Sequence, residues 1–199
     1  MDQRLWATTQ LAELLARTDR VTEADVRFRG ALRLSGSNPY LLGAYSDFLL
    51  DQKRGDEVIR LLANHDRQDG SLLRLAEARL QLAEKSAADE PDRMTTELRT
   101  RFDAARRRGD SLHQREEARF LVRLGSDPTR ALSLAVENWK LQREPADARL
   151  LLECALAAGR PSEAMAALDW MSQTNIEDKA LSKLRDRLTT MTAVKSAKP

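Results

Sequence analysis

Leu11, Leu14, Leu15, Ala24 and Phe28 recur 34 residues later as Tyr45, Phe48, Leu49, Val58 and Leu62. This spacing constrains the fold more than any other feature of the chain. The stretch 11–34, LAELLARTDRVTEADVRFRGALRL, reads as two short amphipathic helices joined by a tight turn at Thr18 to Val21. A hairpin of this length cannot bury its apolar face alone, so copies of it must stack on one another. The recurrence therefore predicts an array of helical hairpins.

Composition supports helix throughout. With 199 residues the chain is long enough for a substantial core, and aromatics make up only 5% of it. Ala, Leu, Arg and Glu dominate, and no window alternates β-branched with polar residues, so essentially no sheet is expected. The net charge of +2 is too small to set up a field over the whole molecule. It is unevenly spread, with eight Arg against five acids from Glu97 to Arg123. Six Lys or Arg face Asp186 alone from Lys179 to Pro199. Such runs read first as solvated helix faces. The single cysteine, Cys154, excludes an internal disulfide framework and a multi-cysteine metal site. No run of about 18 apolar residues is present, and the N-terminus lacks the apolar stretch of a signal peptide. A helix beginning almost at residue 3 is what a fragment of a longer array would show. The compartment is therefore left open, cytoplasmic by default and periplasmic if upstream residues are missing.

Taken in order, helices are expected at about 3–17, 22–35, 39–52, 56–64, 71–85, 91–108, 111–124, 128–142, 145–158, 161–171 and 177–190. Thr22 and Asp25 have the spacing of a capping box, as do Ser111 and Gln114. Asn38-Pro39 places an N-cap before a first-turn proline, and Pro91, Pro128, Pro145 and Pro161 sit at helix starts. The polar stretch EKSAADEPD at 84–92 interrupts the register and reads as an inserted loop. Arg106-Arg107-Arg108-Gly109 is a helix stop. Gly125 and Gly159 are 34 apart, whereas Pro128 and Pro161 are 33 apart. The last helix carries Ala180, Leu181, Leu184 and Leu188 on one side and charges on the other, as a terminal cap should. Residues 191–199 are expected to form a disordered tail after a helical domain over 1–190.

The chain resembles the tetratricopeptide repeat (TPR) family. Leu11, Ala12, Leu15, Ala24, Phe28 and Ala31 carry the likeness in the first hairpin. Tyr45, Ser46, Leu49, Val58 and Leu62 follow it more loosely, with Lys53 at a position that suits glycine. Leu151, Leu152, Ala155, Gly159, Ala164 and Leu168 carry it again near the end. The match covers roughly two-thirds of the chain and weakens from Ser71 to Arg108. The resemblance implies an all-α fold, an α-α superhelix of about five hairpins closed by a C-terminal capping helix. It further implies a concave groove lined by the first helix of each hairpin, where a peptide or partner helix binds. Carried over by position, the groove residues are Gln10, Glu13 and Arg17, then Ala44, Asp47 and Asp51, and later Arg115, Arg119, Arg149 and Glu153. The Lys and Asn clamp by which some members hold a C-terminal carboxylate is replaced here by Thr9, Glu13, Gly43 and Asp47. That leaves a groove acidic at its start and basic further along.

Signatures of chemistry are absent. There is no phosphate-binding glycine loop, no dinucleotide fingerprint, no H-E-x-x-H and no G-x-S-x-G. His65 reads as a solvated residue at a helix end. His113, with Glu116 and Glu117, offers too few ligands for a metal. Cys154 lies in an apolar context and reads as a buried thiol. Trp139 and Trp170 read as wedges between hairpins, and Trp6 as an exposed residue where a missing repeat or a partner docks. The expected function is a non-catalytic scaffold or adaptor without cofactor or metal, binding a protein or peptide partner. The alternatives are a helical-repeat nucleic-acid binder, or a regulatory or docking domain of a larger protein. Few aromatics and the small net charge stand against nucleic acid.

Overall fold

The computed structural model describes residues 3–83, 91–110 and 114–196, and the described residues contain helices and no strand. The helices are α1 Gln3–Arg17, α2 Val21–Leu34, α3 Pro39–Asp51, α4 Gly55–Leu62, α5 Asp69–Ala83 and α6 Pro91–Arg107. They continue with α7 Gln114–Phe120, α8 Pro128–Leu141, α9 Pro145–Ala157, α10 Met165–Thr174 and α11 Lys179–Ser196. Two compact units divide the chain, Met1–Arg101 and Phe102–Pro199, and the division falls within α6. The inserted loop expected at 84–92 lies largely outside the described residues. So do His113 and the Ser111 half of the proposed capping box.

In the first unit α1 pairs with α2 and α3 with α4, and the first helices α1, α3 and α5 lie side by side. Leu5, Thr9, Ala12 and Leu15 recur at helical spacing and form the buried stripe of α1. The buried Thr9 hydroxyl donates to the Leu5 carbonyl at 2.8 Å, so the stripe carries no orphaned polar atom there. Ala24 and Ala31 flank Phe28 on α2, and all three are fully buried. Small residues beside one large ring let the next hairpin approach closely. The Phe28 ring centroid lies 5.0 Å from that of Tyr45 and 5.3 Å from that of Phe48 on α3. Gly55 opens α4 where a Cβ would stand 2.9 Å from the Ala78 carbonyl oxygen of α5, so a larger residue would force the two helices apart.

The turns inside the hairpins share one geometry. Asp19 and Lys53 take left-handed φ values of 66° and 60°. The next amide in each case reaches back to close the helix, Arg20 N–H to the Leu15 carbonyl and Arg54 N–H to the Leu49 carbonyl, both at 2.9 Å. Gly159 does the same with φ 65°, and Arg160 N–H donates to the Ala155 carbonyl at 2.9 Å. Lys53 thus adopts the conformation that glycine would take most easily.

The second unit pairs α7 with α8 and α9 with α10, and α11 covers α9. Phe102 meets Phe120 at 5.5 Å, and Trp139 meets Trp170 edge-on at 5.5 Å. α7 widens into a π-helical turn over Leu121–Gly125, and α10 is entered through a 3₁₀ turn at Pro161–Ala164. The π turn accounts for the two spacings in this region. Ser126, not Gly125, holds the left-handed position with φ 55°, 33 residues before Gly159. Gly125 sits instead in a crowded place, where a Cβ would lie 3.1 Å from Leu121 Cδ2 and 3.2 Å from Phe120 Cε1, so a larger residue would need those side chains to give by a few tenths of an ångström.

Several expectations need correction. Thr22 and Asp25 form no capping box, because α2 begins at Val21 without a side-chain cap. Leu11 and Leu14 are exposed although their repeat partners Tyr45 and Phe48 are buried. α1 has no described hairpin in front of it, whereas α3 has α2. Leu80, which helical spacing sets with Leu72, Leu75, Ala76 and Ala83 on one stripe of the fifth helix, is also exposed. α11 runs to Ser196 and so passes the expected end near Thr190.

Asp25 serves as an ionic hub between hairpins. It accepts from Arg29 at 2.9 Å, Tyr45 Oη at 2.8 Å and Arg54 at 3.1 Å. Glu57 accepts from Arg54 at 2.6 and 2.9 Å and from Arg29 at 2.9 Å. Burial raises the Asp25 carboxyl pKa, but the bonds from Arg29, Tyr45 and Arg54 outweigh it and hold the group below the usual aspartate value. The Arg54 guanidinium does the same for Glu57, against a smaller effect of burial. Burial and the Asp25 carboxylate push the Tyr45 phenol up to about 12, so it remains a donor. A carboxylate whose pKa is depressed by folding contributes stability above its unfolded value and loses it as pH falls through the folded one. Denaturation midpoints should therefore decline as pH drops below the ordinary carboxylate values of 4.5 and 3.8. Asp25→Asn should flatten that decline in urea titrations between neutral and acid pH, and an unchanged slope would remove Asp25 from the network.

Candidate functional site

Because consecutive first helices lie side by side, their outward polar residues form one row in each unit. In the first unit Gln10 Nε2 donates to Tyr40 Oη at 2.8 Å, and Tyr40 Oη donates to Glu13 Oε2 at 2.6 Å. One helix further on, Arg74 clasps Asp47 through Nε at 2.9 Å and Nη2 at 2.6 Å, and Nε also reaches the Gly43 carbonyl at 3.2 Å. Tyr40 follows Glu13 by 27 residues and Arg74 follows Asp47 by 27, so one inter-helix bond recurs a repeat later with different chemistry. Arg17 sits at the end of α1 with its Nε buried and lacking a hydrogen bond among the described residues. Asp51 is exposed at the end of α3.

In the second unit Glu153 of α9 lies between two guanidinium groups. Arg123 donates Nη2 to its carboxylate at 2.7 and 3.0 Å, and Arg149 donates Nε at 2.9 Å. Burial raises the Glu153 pKa, and the two arginines overcome this and leave the group below the usual glutamate value. Arg115 of α7 stands 3.5 Å from Asp147 and 3.6 Å from Glu144. Arg119, one turn further along α7, is half-buried in the same row. Arg130 of α8 pairs with Glu117 of α7 and ties that hairpin together. Burial pushes the Cys154 thiol up to about 12, which leaves it unreactive at neutral pH.

The structure thus joins Gln10 to Glu13 through Tyr40, and Arg149 to Glu153 directly. It gives Asp47 to Arg74, and Arg115 to the start of α9. Tyr40, Arg74 and Arg123 were missed, although Tyr40 and Arg74 are 34 residues apart on first helices and extend the series begun by Trp6. These rows are partly self-compensated. Their polar atoms link neighbouring hairpins while Tyr40, Arg115 and Arg149 keep part of their surface open to solvent. Among the described residues no group of three or more His, Cys, Asp or Glu could hold a metal ion. No described helix is long and apolar enough to cross a membrane.

No family model matches the chain. No curated protein matches it in sequence. Among solved structures it is similar to that of TTC0263, a thermophilic TPR protein in Thermus thermophilus. The two share 19% identity with a TM-score of 0.58, over 95% of this chain and 99% of that one. At that identity the likeness speaks for the fold alone, and the fold is an all-α, TPR-like helical repeat.

Proposed function

We propose that the protein is a non-catalytic interaction module that holds a partner chain on the faces built by its first helices. The observation that carries this reading is the stacking of helical hairpins with first helices side by side, an arrangement shared with a TPR protein. Such stacking leaves a row of polar side chains that a visiting chain can reach. In the first unit the row carries Gln10, Glu13, Arg17, Asp47 and Asp51 together with Tyr40. In the second it carries Arg115, Arg119, Arg149 and Glu153 together with Arg123. The second row is the richer in guanidinium groups, which favour planar, bidentate recognition of carboxylates. An acidic segment of a protein partner is the ligand that suits it.

The test is affinity capture of the full-length protein from its own cell, with the bound chains identified. Arg115→Glu with Arg119→Glu should cut capture of the principal partner by about tenfold, since a charge pair lost at an interface leaves its opposite uncompensated. Arg115→Glu also places a carboxylate beside Asp147, so Arg119→Glu alone is the second variant, with helix content checked for both. Undiminished capture by folded Arg119→Glu and by the double variant would discard the reading of that face.

A further inference from the structure

The two units treat the groove between their second helices differently. Asp19, Lys53, Ser126 and Gly159 hold the left-handed turn inside four hairpins and so fix a common register. Arg29 stands ten residues after Asp19, and Glu57 four after Lys53. In the first unit the Arg29 guanidinium crosses from α2 to Glu57 of α4 at 2.9 Å and bridges the groove. Ten residues after Ser126 stands Val136, and four after Gly159 stands Glu163. The register is sound, because Arg160 pairs with Glu163 as Arg54 pairs with Glu57. Arg60 of α4 is likewise matched by Ala166 of α10, seven residues after its own turn. Two long cationic side chains thus give way to two short apolar ones, and a cleft of about 220 Å³ opens there.

Val136, Trp139, Leu151 and Ala166 give the cleft its apolar walls. Its flanking helices α8 and α10, and α9 packed on both, belong to the one unit, so the cleft is complete within it. The charges at its rim are unequally satisfied. Lys140 donates to Glu137 at 2.6 Å, and Glu163 is held by Arg160. Arg143, exposed between α8 and α9, has no hydrogen bond or ion pair among the described residues. A cation drawn to Glu163 would stand beside Lys140 and Arg143, whereas an anion meets a guanidinium with no other claim on it. The volume falls below the roughly 300 Å³ at which ligand pockets usually begin, which limits an occupant to about one ring and a short chain.

We propose that this cleft binds a small organic carboxylate, its apolar body against Val136 and Trp139 and its carboxylate on Arg143. The site lies on second helices and uses none of the residues in the first-helix rows, so its test is independent of theirs.

The probe is 3-phenylpropionate, titrated into the full chain by calorimetry and by amide NMR. Saturable binding is expected by about 10 mM, the weak end of specific association, with the amides of Val136, Arg143 and Ala166 shifting together. The neutral amide 3-phenylpropionamide should bind at least about fivefold more weakly, and Arg143→Ala should weaken the acid to the level of that amide. Arg143 is exposed, so the fold should survive its loss. Val136→Arg restores the residue that bridges the groove in the first unit and should abolish binding, and Ala166→Arg is the second filling variant should Val136→Arg not fold. The proposal is overturned if the acid does not saturate, if acid and amide bind equally, or if the Arg143 or filling variants bind like the parent. Tighter binding of acetyl-alanyl-phenylalanine than of the free acid would move the site to the C-terminus of another chain and overturn the small-molecule assignment.

Discussion

Phe28→Ala is expected to lower the stability of the first unit by about 3–5 kcal/mol, the range for truncating a fully buried aromatic. The ring has no exposed surface and occupies the junction of two hairpins, stacked on Tyr45 with an interplanar angle of 20° and tilted by 40° against Phe48. Removing it loses the transfer free energy of the ring and leaves a cavity whose walls belong to two elements. It also loses aromatic contacts worth about 0.5–1.5 kcal/mol per pair beyond area alone. Neighbours cannot easily collapse into the space, because Tyr45 is held by its bond to Asp25 at 2.8 Å. Phe28→Leu keeps most of the volume and should cost about 1.5 kcal/mol or less. Urea titration followed by circular dichroism would rank the two. An alanine variant within about 1 kcal/mol of the parent would mean that the three rings do not form the junction.

Why Phe28 could be read from the sequence and Asp25 could not is a matter of which partners a residue needs. Phe28, Ala24 and Ala31 declare themselves by helical spacing, and the recurrence at 34 implies that something stacks on them. Asn38-Pro39, Pro91, Pro128 and Pro145 mark helix starts because proline fixes φ and lacks a donor at a position where neither costs anything. Asp25 has the spacing of a cap to Thr22, and besides its helical neighbour Arg29 its partners Tyr45 and Arg54 lie 20 and 29 residues away on another hairpin. No local pattern contains those distances. The row residues met the same difficulty. Glu13 and Asp47 look like free groove acids until Tyr40 and Arg74 arrive from the neighbouring first helix. Leu11 and Leu14 failed for a different reason. Each first helix in an array has two sides to cover, one by its own hairpin and one by the hairpin before it. A periodic pattern marks both sides as apolar and says nothing about which neighbour is present. The π turn at Leu121–Gly125 was also hidden, since widening a helix by one residue leaves its composition unchanged.

Asp147→Ala is expected to cost about 3–5 kcal/mol, because it removes a buried carboxylate that serves a buried amide, a first-turn N–H and a guanidinium. The Asp147 side chain has no exposed surface, and its Oδ1 accepts from Asn138 Nδ2 at 2.9 Å while Oδ2 accepts from the Glu144 amide at 3.0 Å. Arg115 stands 3.5 Å away and supplies opposite charge. The residue therefore closes the first turn of α9, holds it against α8 and anchors a guanidinium of α7. Alanine would leave the Asn138 amide, itself only 7% exposed, and the Glu144 N–H without their acceptors. Asp147→Asn retains one acceptor oxygen and the shape of the side chain, so it should cost less, about 1–3 kcal/mol. The contact with Asn138 makes a further demand. Asn138→Ala combined with Asp147→Ala should cost less than the sum of the two by about 1 kcal/mol, since the donor and its acceptor leave together. Independent, additive losses would show that the bond between α8 and α9 contributes nothing. An alanine variant as stable as the asparagine one would show the same of the α9 cap, and an asparagine variant as stable as the parent would show it of the charge facing Arg115.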